Sequence, residues 1–285
     1  MSAGMPAGRR QLAVNLLGVV EHATSGASPY AIGRDGRPYV PAGDGGLVLG
    51  VDLGEGVWER AADHVAPGAC LVHPDPAARL ALTGLSCLGN EAILRSGAAA
   101  GARGVVVGKR GEAGRVIVRF PPEVLATMAP GDEVSVRAEG QGHPPIGDVR
   151  VMNLAAELLE GLATRSAGTL RVPVRCEIAS ALMGNGIGRP AVQWCLDLQL
   201  DPLNAGLHGA ARLALGDLVA LDDVDARFNI GYRRGWSTVG VVVHGGSPLP
   251  GHGPGIVAVL TGPAAALELE VDAEAHRGLA GALGA

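Results

Sequence analysis

A strand-rich α+β fold, with small β-barrel-like or sandwich subdomains and a few short helices, is what this 285-residue sequence predicts, and three observations predict it. Nine short apolar runs are bounded by Gly, Pro or Asp, which supply turn geometry between strands. Glycine occurs 45 times, against about 20 expected at the usual ~7%, so the chain turns often. Trp, Tyr and Phe together make up only 3% of the chain, so the core is built from Val, Leu, Ile and Ala.

The first run, residues 12–20, follows Arg9 and Arg10 in the manner of a secretory leader. Asn15 and Gly18 interrupt it and no small-residue cleavage site follows, which makes it a first strand. Further strands are expected over 46–53, 104–107, 115–120, 133–138, 170–178, 218–221, 238–244 and 256–260. Helices are expected over 90–96, which closes at Gly97, and over 122–128, which opens on proline. Two more, over 154–162 and 272–283, have apolar residues at three-to-four spacing. A turn ahead of a strand recurs at Pro67-Gly68, Pro130-Gly131 and Gly216-Asp217. Such turns are common where strands enter a small barrel, although Gly-Asp is also an ordinary turn dipeptide. The Gly/Pro density of residues 140–147 marks a boundary between an N-terminal α+β half, 1–145, and a C-terminal strand-rich half, 146–285, that carries the His/Asp/Arg cluster.

Charge and cysteine spacing exclude several partners. With 23 basic and 28 acidic residues the net charge is −5, which offers no footprint for a phosphate backbone, so no nucleic acid is expected. No stretch approaches the ~18 apolar residues of a spanning helix, so no membrane is expected either. Cys70, Cys87, Cys176 and Cys195 lack C-x-x-C spacing and read as reduced thiols of a cytoplasmic protein.

Polar residues concentrate in five segments. Asp63-His64 places a carboxylate beside an imidazole, a general base or metal ligand, just ahead of a turn and strand. In the run 86–91, the N-terminus of the expected helix would activate Ser86 or Cys87, with Asn90 as oxyanion donor and Glu91 as acid or ligand; an ordinary capping run has the same composition. The loop 182–188 is rich in glycine, so its backbone around Asn185 could approach an anion closely, and Arg189 follows to bind a carboxylate. It has no Lys-Ser/Thr and no strand-to-helix fingerprint, which leaves no nucleotide cofactor. The densest run holds Asp222, Asp223, Asp225, Arg227, Tyr232, Arg233 and Arg234, either a charged substrate pocket or an ion-paired loop. Downstream, an apolar strand ends at His244 and a Gly/Pro loop presents His252. With a carboxylate such as Asp223 or Asp63, these two imidazoles would make a mononuclear zinc or manganese site with an open position; hydrogen bonding in a metal-free pocket is the competing role. His22, His73, His208 and His276 have no such company and read as surface or loop residues, while His143 falls at the boundary.

Taken together, Asp63 to Gly68, Ser86 to Ala92, Gly104 to Gly111, Gly131 to Gly142, Leu182 to Gly188, Gly231 to Gly235 and the pair VVVH with GHGPG between Val241 and Gly255 resemble the bacterial and archaeal family called domain of unknown function 4438. The resemblance runs in order over residues 11–261 and implies one unit of two halves, without implying a reaction. More faintly, residues 170–174 leading into 182–188 are similar to the strand and glycine-rich loop of acetamidase/formamidase-type amide hydrolases, with Asn185-Gly186 standing where that group has Asp-x-His.

The function expected is that of a small-molecule enzyme, a hydrolase or amide/acyl-type enzyme acting on a small polar or anionic substrate. His244, His252, His64, Asp63 and Glu91 would do the chemistry; Asn90, Cys87, Asn185, Arg189, Tyr232 and Arg233 would bind substrate; His244, His252 and Asp223 would hold the divalent metal. A metal-free lyase, isomerase or cyclase could use the same pocket. From a different class comes a non-catalytic binding protein, a homo-oligomer packed through its glycine-rich loops.

Overall fold

The first apolar run has two backbone edges to satisfy, and the first half of the chain supplies a strand to each of them. In the computed structural model, which describes residues 12–24, 28–60, 62–166, 169–272 and 278–284, β1 (Val14–Val20) is followed by a small ribbon of β2 (Ala31–Ile32) and β3 (Pro38–Tyr39). Then come β4 (Leu47–Val48), β5 (Gly68–Val72), α1 (Pro76–Leu85), β6 (Glu91–Leu94), β7 (Arg103–Arg110), β8 (Arg115–Arg119), α2 (Pro122–Leu125) and β9 (Glu133–Ala138). The order β1-β9-β6-β7-β8-β5, returned to its start by the β1–β5 pairing, is a closed six-stranded barrel with β4 appended to β5. Closure covers the second edge of β1 at its C-terminal end, Val19 and Val20. Leu71, Leu94, Val106, Val118, Val134 and Val136 form an apolar cluster with Leu82 of α1.

The helix expected over 90–96 is strand β6. Its residues alternate between partly and fully buried, a period of two, and both of its edges are claimed, by β7 and by β9. Ladder pairing outweighs local helical preference. The α1 segment, which spacing did not single out, is a helix because Asp75 accepts a hydrogen bond from the Ala78 N–H at 2.9 Å and proline occupies the first turn.

The second half contains β10 (Arg150–Val151), α3 (Ala156–Leu162), β11 (Thr164–Ser166), β12 (Thr169–Val174), β13 (Glu177–Ala179), β14 (Leu196–Asp197), β15 (Leu218–Asp225), β16 (Gly231–His244), β17 (Gly255–Pro263), β18 (Leu267–Val271) and α4 (Leu279–Ala282). One sheet runs β10-β17-β16-β15-β13 with β14 on β17; a second joins β11, β12 and β18. The chain is thus strand-rich α+β, as expected. The helices expected over 122–128 and 154–162 are the shorter α2 and α3. Of the one expected over 272–283, only α4 is helical among the described residues, and His276 lies outside them.

Two apolar clusters join the halves; in one, Val107 and Ile117 of the barrel pack among Val241, Val243 and Val257 of the large sheet, and in the other Val51, Val57 and Val65 pack with Val219 and Val242. Beside the first Lys109, buried at the end of β7, donates to Thr83 O, Val192 O and Asn153 Oδ1, each at 2.8 Å. All three ammonium protons are used, and burial pushes this lysine down to about 8. The packing brings the end of β7 toward the end of β16. Among the described residues no helix is long and apolar enough to cross a membrane.

Candidate metal centre

Each residue of the centre is placed by a different backbone constraint. His244 ends β16 and is fully buried. Gly255 faces it across the ladder, where a Cβ would lie 1.8 Å from His244 Nε2, so only glycine admits the ring. His64 has a left-handed backbone, φ 51°, a conformation that costs a non-glycine residue about 1–3 kcal/mol. Tertiary hydrogen bonds hold it there: His64 N–H to Gly246 O at 3.0 Å and Gly245 N–H to Val65 O at 2.8 Å. Asp197 ends β14, its N–H bonded to Asn185 O and its own carbonyl accepting from Gly184 N–H. The loop that presents His252 comes in on the same strand, and a Cβ at Gly253 would meet Leu198 O at 2.0 Å.

The side chains converge. His64 Nε2 stands 3.5 Å from Asp197 Oδ2, and His244 Nε2 stands 3.3 Å from Asp197 Oδ1. The His64 ring centroid is 5.1 Å from that of His244 and 5.4 Å from that of His252. Cys195 Sγ lies 3.7 Å from His244 Nε2 and 3.8 Å from Asp197 Oδ1.

The outward nitrogens determine what the inward ones can do. His244 Nδ1 donates to Gly245 O and His252 Nδ1 to Pro250 O, both at 3.0 Å. His64 Nδ1 is 2.5 Å from Asp63 Oδ1, a close but unaligned ion contact, and Asp63 Oδ2 accepts from the Tyr39 hydroxyl at 3.0 Å. His244 and His252 thus commit their Nδ1 protons outward, and all three Nε2 atoms face carboxylates, Asp197 for His64 and His244 and Glu112 for His252. His64 Nε2 and Asp197 Oδ2 are both buried and have no hydrogen-bond partner. A pocket lined by acceptors requires protons or a cation.

The titration of these groups reflects that demand. Burial pulls Asp197 upward, but His244 and His64 hold it well below the usual carboxylate range. Glu112 raises His252 to about 9, and His252 in turn, against burial and with help from Arg110, holds Glu112 at about 2. Burial pushes His244 down, whereas His64 rises because Asp197 and Asp63 outweigh its burial. At the rim Glu112 Oε1 is 3.4 Å from His252 Nε2 and accepts from Asn185 Nδ2; buried Arg110 reaches Glu112 Oε2 at 3.0 Å and also pairs with Asp44.

Of the residues singled out from sequence, the fold brings together Asp63, His64, His244, His252 and Asn185. The others are placed elsewhere. Asn90 braces a loop, its Oδ1 accepting from Cys87 N–H and its Nδ2 donating to Glu139 O, and Cys87 is fully buried with its thiol pushed up to about 11 by that burial. Glu91 pairs with Arg103 on the barrel surface. Because 90–96 is a strand, no helix N-terminus exists there to activate a nucleophile. Arg189 stacks over Trp194, 4.7 Å from the ring. Asp223 does not join His244: it bonds Gly235 N–H, nine residues from His244 along β16 and so roughly 30 Å away at ~3.3 Å per residue. Tyr232 is exposed on the same hairpin, and Arg233 pairs there with Asp225 at 3.1 Å.

Asp197, Cys195, Glu112 and Arg110 were not singled out. The available signal was charge beside or inside apolar runs: Asp197 between Leu196 and Leu198, and Arg110 three residues beyond the run 104–107. A buried charge needs a partner, so an aspartate in such a run marks a site.

Two family models cover the chain. Domain of unknown function (DUF4438), N-terminal, matches residues 30–160, and the corresponding C-terminal model matches 161–278. The crystal structure of TM1086 is similar with a TM-score of 0.89 and 35% sequence identity, covering 95% of this chain and 96% of that one. No curated protein matches the chain.

Proposed function

The chain belongs to the DUF4438 family, a membership that carries a fold, and from the geometry of its buried cluster we propose that it is a divalent-metal-dependent hydrolase of a small polar amide or ester. The observation that carries this reading is the pair of partnerless buried atoms, His64 Nε2 and Asp197 Oδ2, with a ligand atom of His252 completing a set whose members all lie within 4.8 Å. Imidazole nitrogen and carboxylate oxygen are the donors of catalytic zinc and manganese sites. Asp63, on the far nitrogen of His64, is the outer carboxylate that orients a ligand histidine. An ion held there would polarise a carbonyl oxygen and bring the pKa of water to ~7.

The remaining work falls to the chain. His252 and Glu112 are part-exposed while His64 and Asp197 are buried, so substrate enters on the His252 side. Glu112, oriented by Asn185, accepts a proton as the water oxygen bonds to the carbonyl carbon. That proton passes to the leaving amine or alkoxide as its bond to carbon breaks. His252 foremost, with Arg110 behind it, keeps Glu112 ionised, and the Arg110 guanidinium adds positive charge on the side where the oxyanion would develop.

Metal loading followed by turnover tests the reading. Protein stripped with a chelator and given Zn²⁺ or Mn²⁺ is expected to regain hydrolysis of p-nitrophenyl esters or p-nitroanilides. His64→Ala and His252→Ala are expected to lose metal and turnover together, whereas Glu112→Gln keeps the metal and loses turnover. Wild-type protein that takes up neither ion, or that turns over at full rate when stripped, ends the reading.

A further inference from the structure

Asp197 has two carboxylate oxygens, and the catalytic reading uses one. Oδ2 faces His64, while Oδ1 faces His244 Nε2 at 3.3 Å and Cys195 Sγ at 3.8 Å, and the imidazole and sulfur are 3.7 Å apart. Ligand bonds of about 2.0–2.3 Å at tetrahedral angles separate donor atoms by about 3.3–3.6 Å. The three measured separations match the edges of that tetrahedron to within about 0.2 Å. Nitrogen, oxygen and sulfur at these spacings are a ligand set for a zinc-like ion.

The hydrogen bonding points the same way. His244 gives its Nδ1 proton to Gly245 O, so its Nε2 lone pair faces Asp197 Oδ1. A thiol proton on Cys195 could serve one of these acceptors and would leave the other opposed; one cation serves the nitrogen, the oxygen and the sulfur together. Cys195, Asp197 and His244 are 2%, 1% and 0% exposed, so water does not offset the mismatch. Gly255 leaves the ring the room to hold this position.

We propose that Cys195, His244 and Asp197 Oδ1 hold a second divalent cation, so that Asp197 bridges two ions: a buried one on the cysteine side, and the substrate-facing one on the His64 and His252 side. The inference rests on the catalytic-metal reading for the first ion and adds the second. Paired ions bridged in this way lie about 3.5–4 Å apart and clamp the attacking and leaving atoms of a displacement. The closed site suits the ion that orients the carboxylate, and the open site suits the ion that meets substrate.

Cobalt titration of the stripped wild-type chain tests it without any variant. The expected result is about two Co²⁺ per chain and a near-ultraviolet thiolate-to-cobalt charge-transfer band. Cys195→Ser and Cys195→Ala are expected to lose the band and one equivalent of metal while keeping the other. One equivalent in the wild type, with or without the band, overturns the second ion; without the band it leaves the catalytic centre intact. Two equivalents with no sulfur band also overturn it, because Cys195 is then not a ligand. No cobalt uptake overturns both readings together.

Discussion

The hairpin at 222–235 and the cluster around Asp197 are both rich in charge, and they differ in how that charge is satisfied. On the hairpin, Asp225 pairs with Arg227 at 2.8 Å and Arg233 at 3.1 Å, and both guanidiniums lie over the Trp236 ring. Every one of these partners is within nine residues, and the charged groups reach water. At Asp197 the neighbours come from positions 64, 195 and 244, are buried, and include atoms with no hydrogen-bond partner. Around Asp225, local charge neutralises itself. Charge gathered from distant positions instead comes with a strained His64 backbone and buried polar atoms that hydrogen bonding leaves unused.

Three substitutions test that contrast, beginning with the largest effect. Asp197→Asn removes the anion that His64 and His244 both face, and elemental analysis should find metal uptake abolished; retention of metal would place the ion elsewhere. Next, Asp63→Asn weakens only the outer carboxylate, so metal affinity measured by chelator competition should fall about 10–100-fold while the ligands remain. An unchanged affinity would remove Asp63 from the centre. Smallest is Arg233→Ala on the hairpin, which should alter stability by no more than about 1 kcal/mol in a thermal melt and leave metal content untouched. A loss of metal there would join the two regions and dissolve the contrast.

Legibility from sequence follows the range of the interactions. The strand-rich class was legible because alternation and Gly/Pro punctuation act over a few residues. His244 and His252 were legible because eight residues separate a strand end from a loop. Asp63-His64 stood out as a dipeptide, although nothing local indicated that His64 would be held left-handed by Gly245 and Gly246. The segment 90–96 misled because its residues favour either state, and only two flanking strands made it one of theirs. Charge density pointed to Asp223 and Arg233 for the same reason that it missed Asp197: proximity in sequence favours pairs that cancel.

By itself, then, the sequence determined the building materials. Apolar runs of strand length, a core almost without aromatics, and glycines gathered around polar residues follow from composition and spacing alone. Tertiary structure decided which polar residues face one another. The barrel closes through β1 and β5, which are separated by some fifty residues, and its packing on the large sheet brings β7 toward the end of β16, while the β14–β17 pairing sets Asp197 beside His244. Glycines 253 and 255, which read as turn formers, turned out to be the positions where a Cβ would have kept those backbones and that imidazole apart. The physical reason is that burial removes water as a partner, so the choice of partner passes from neighbours in the chain to neighbours in space.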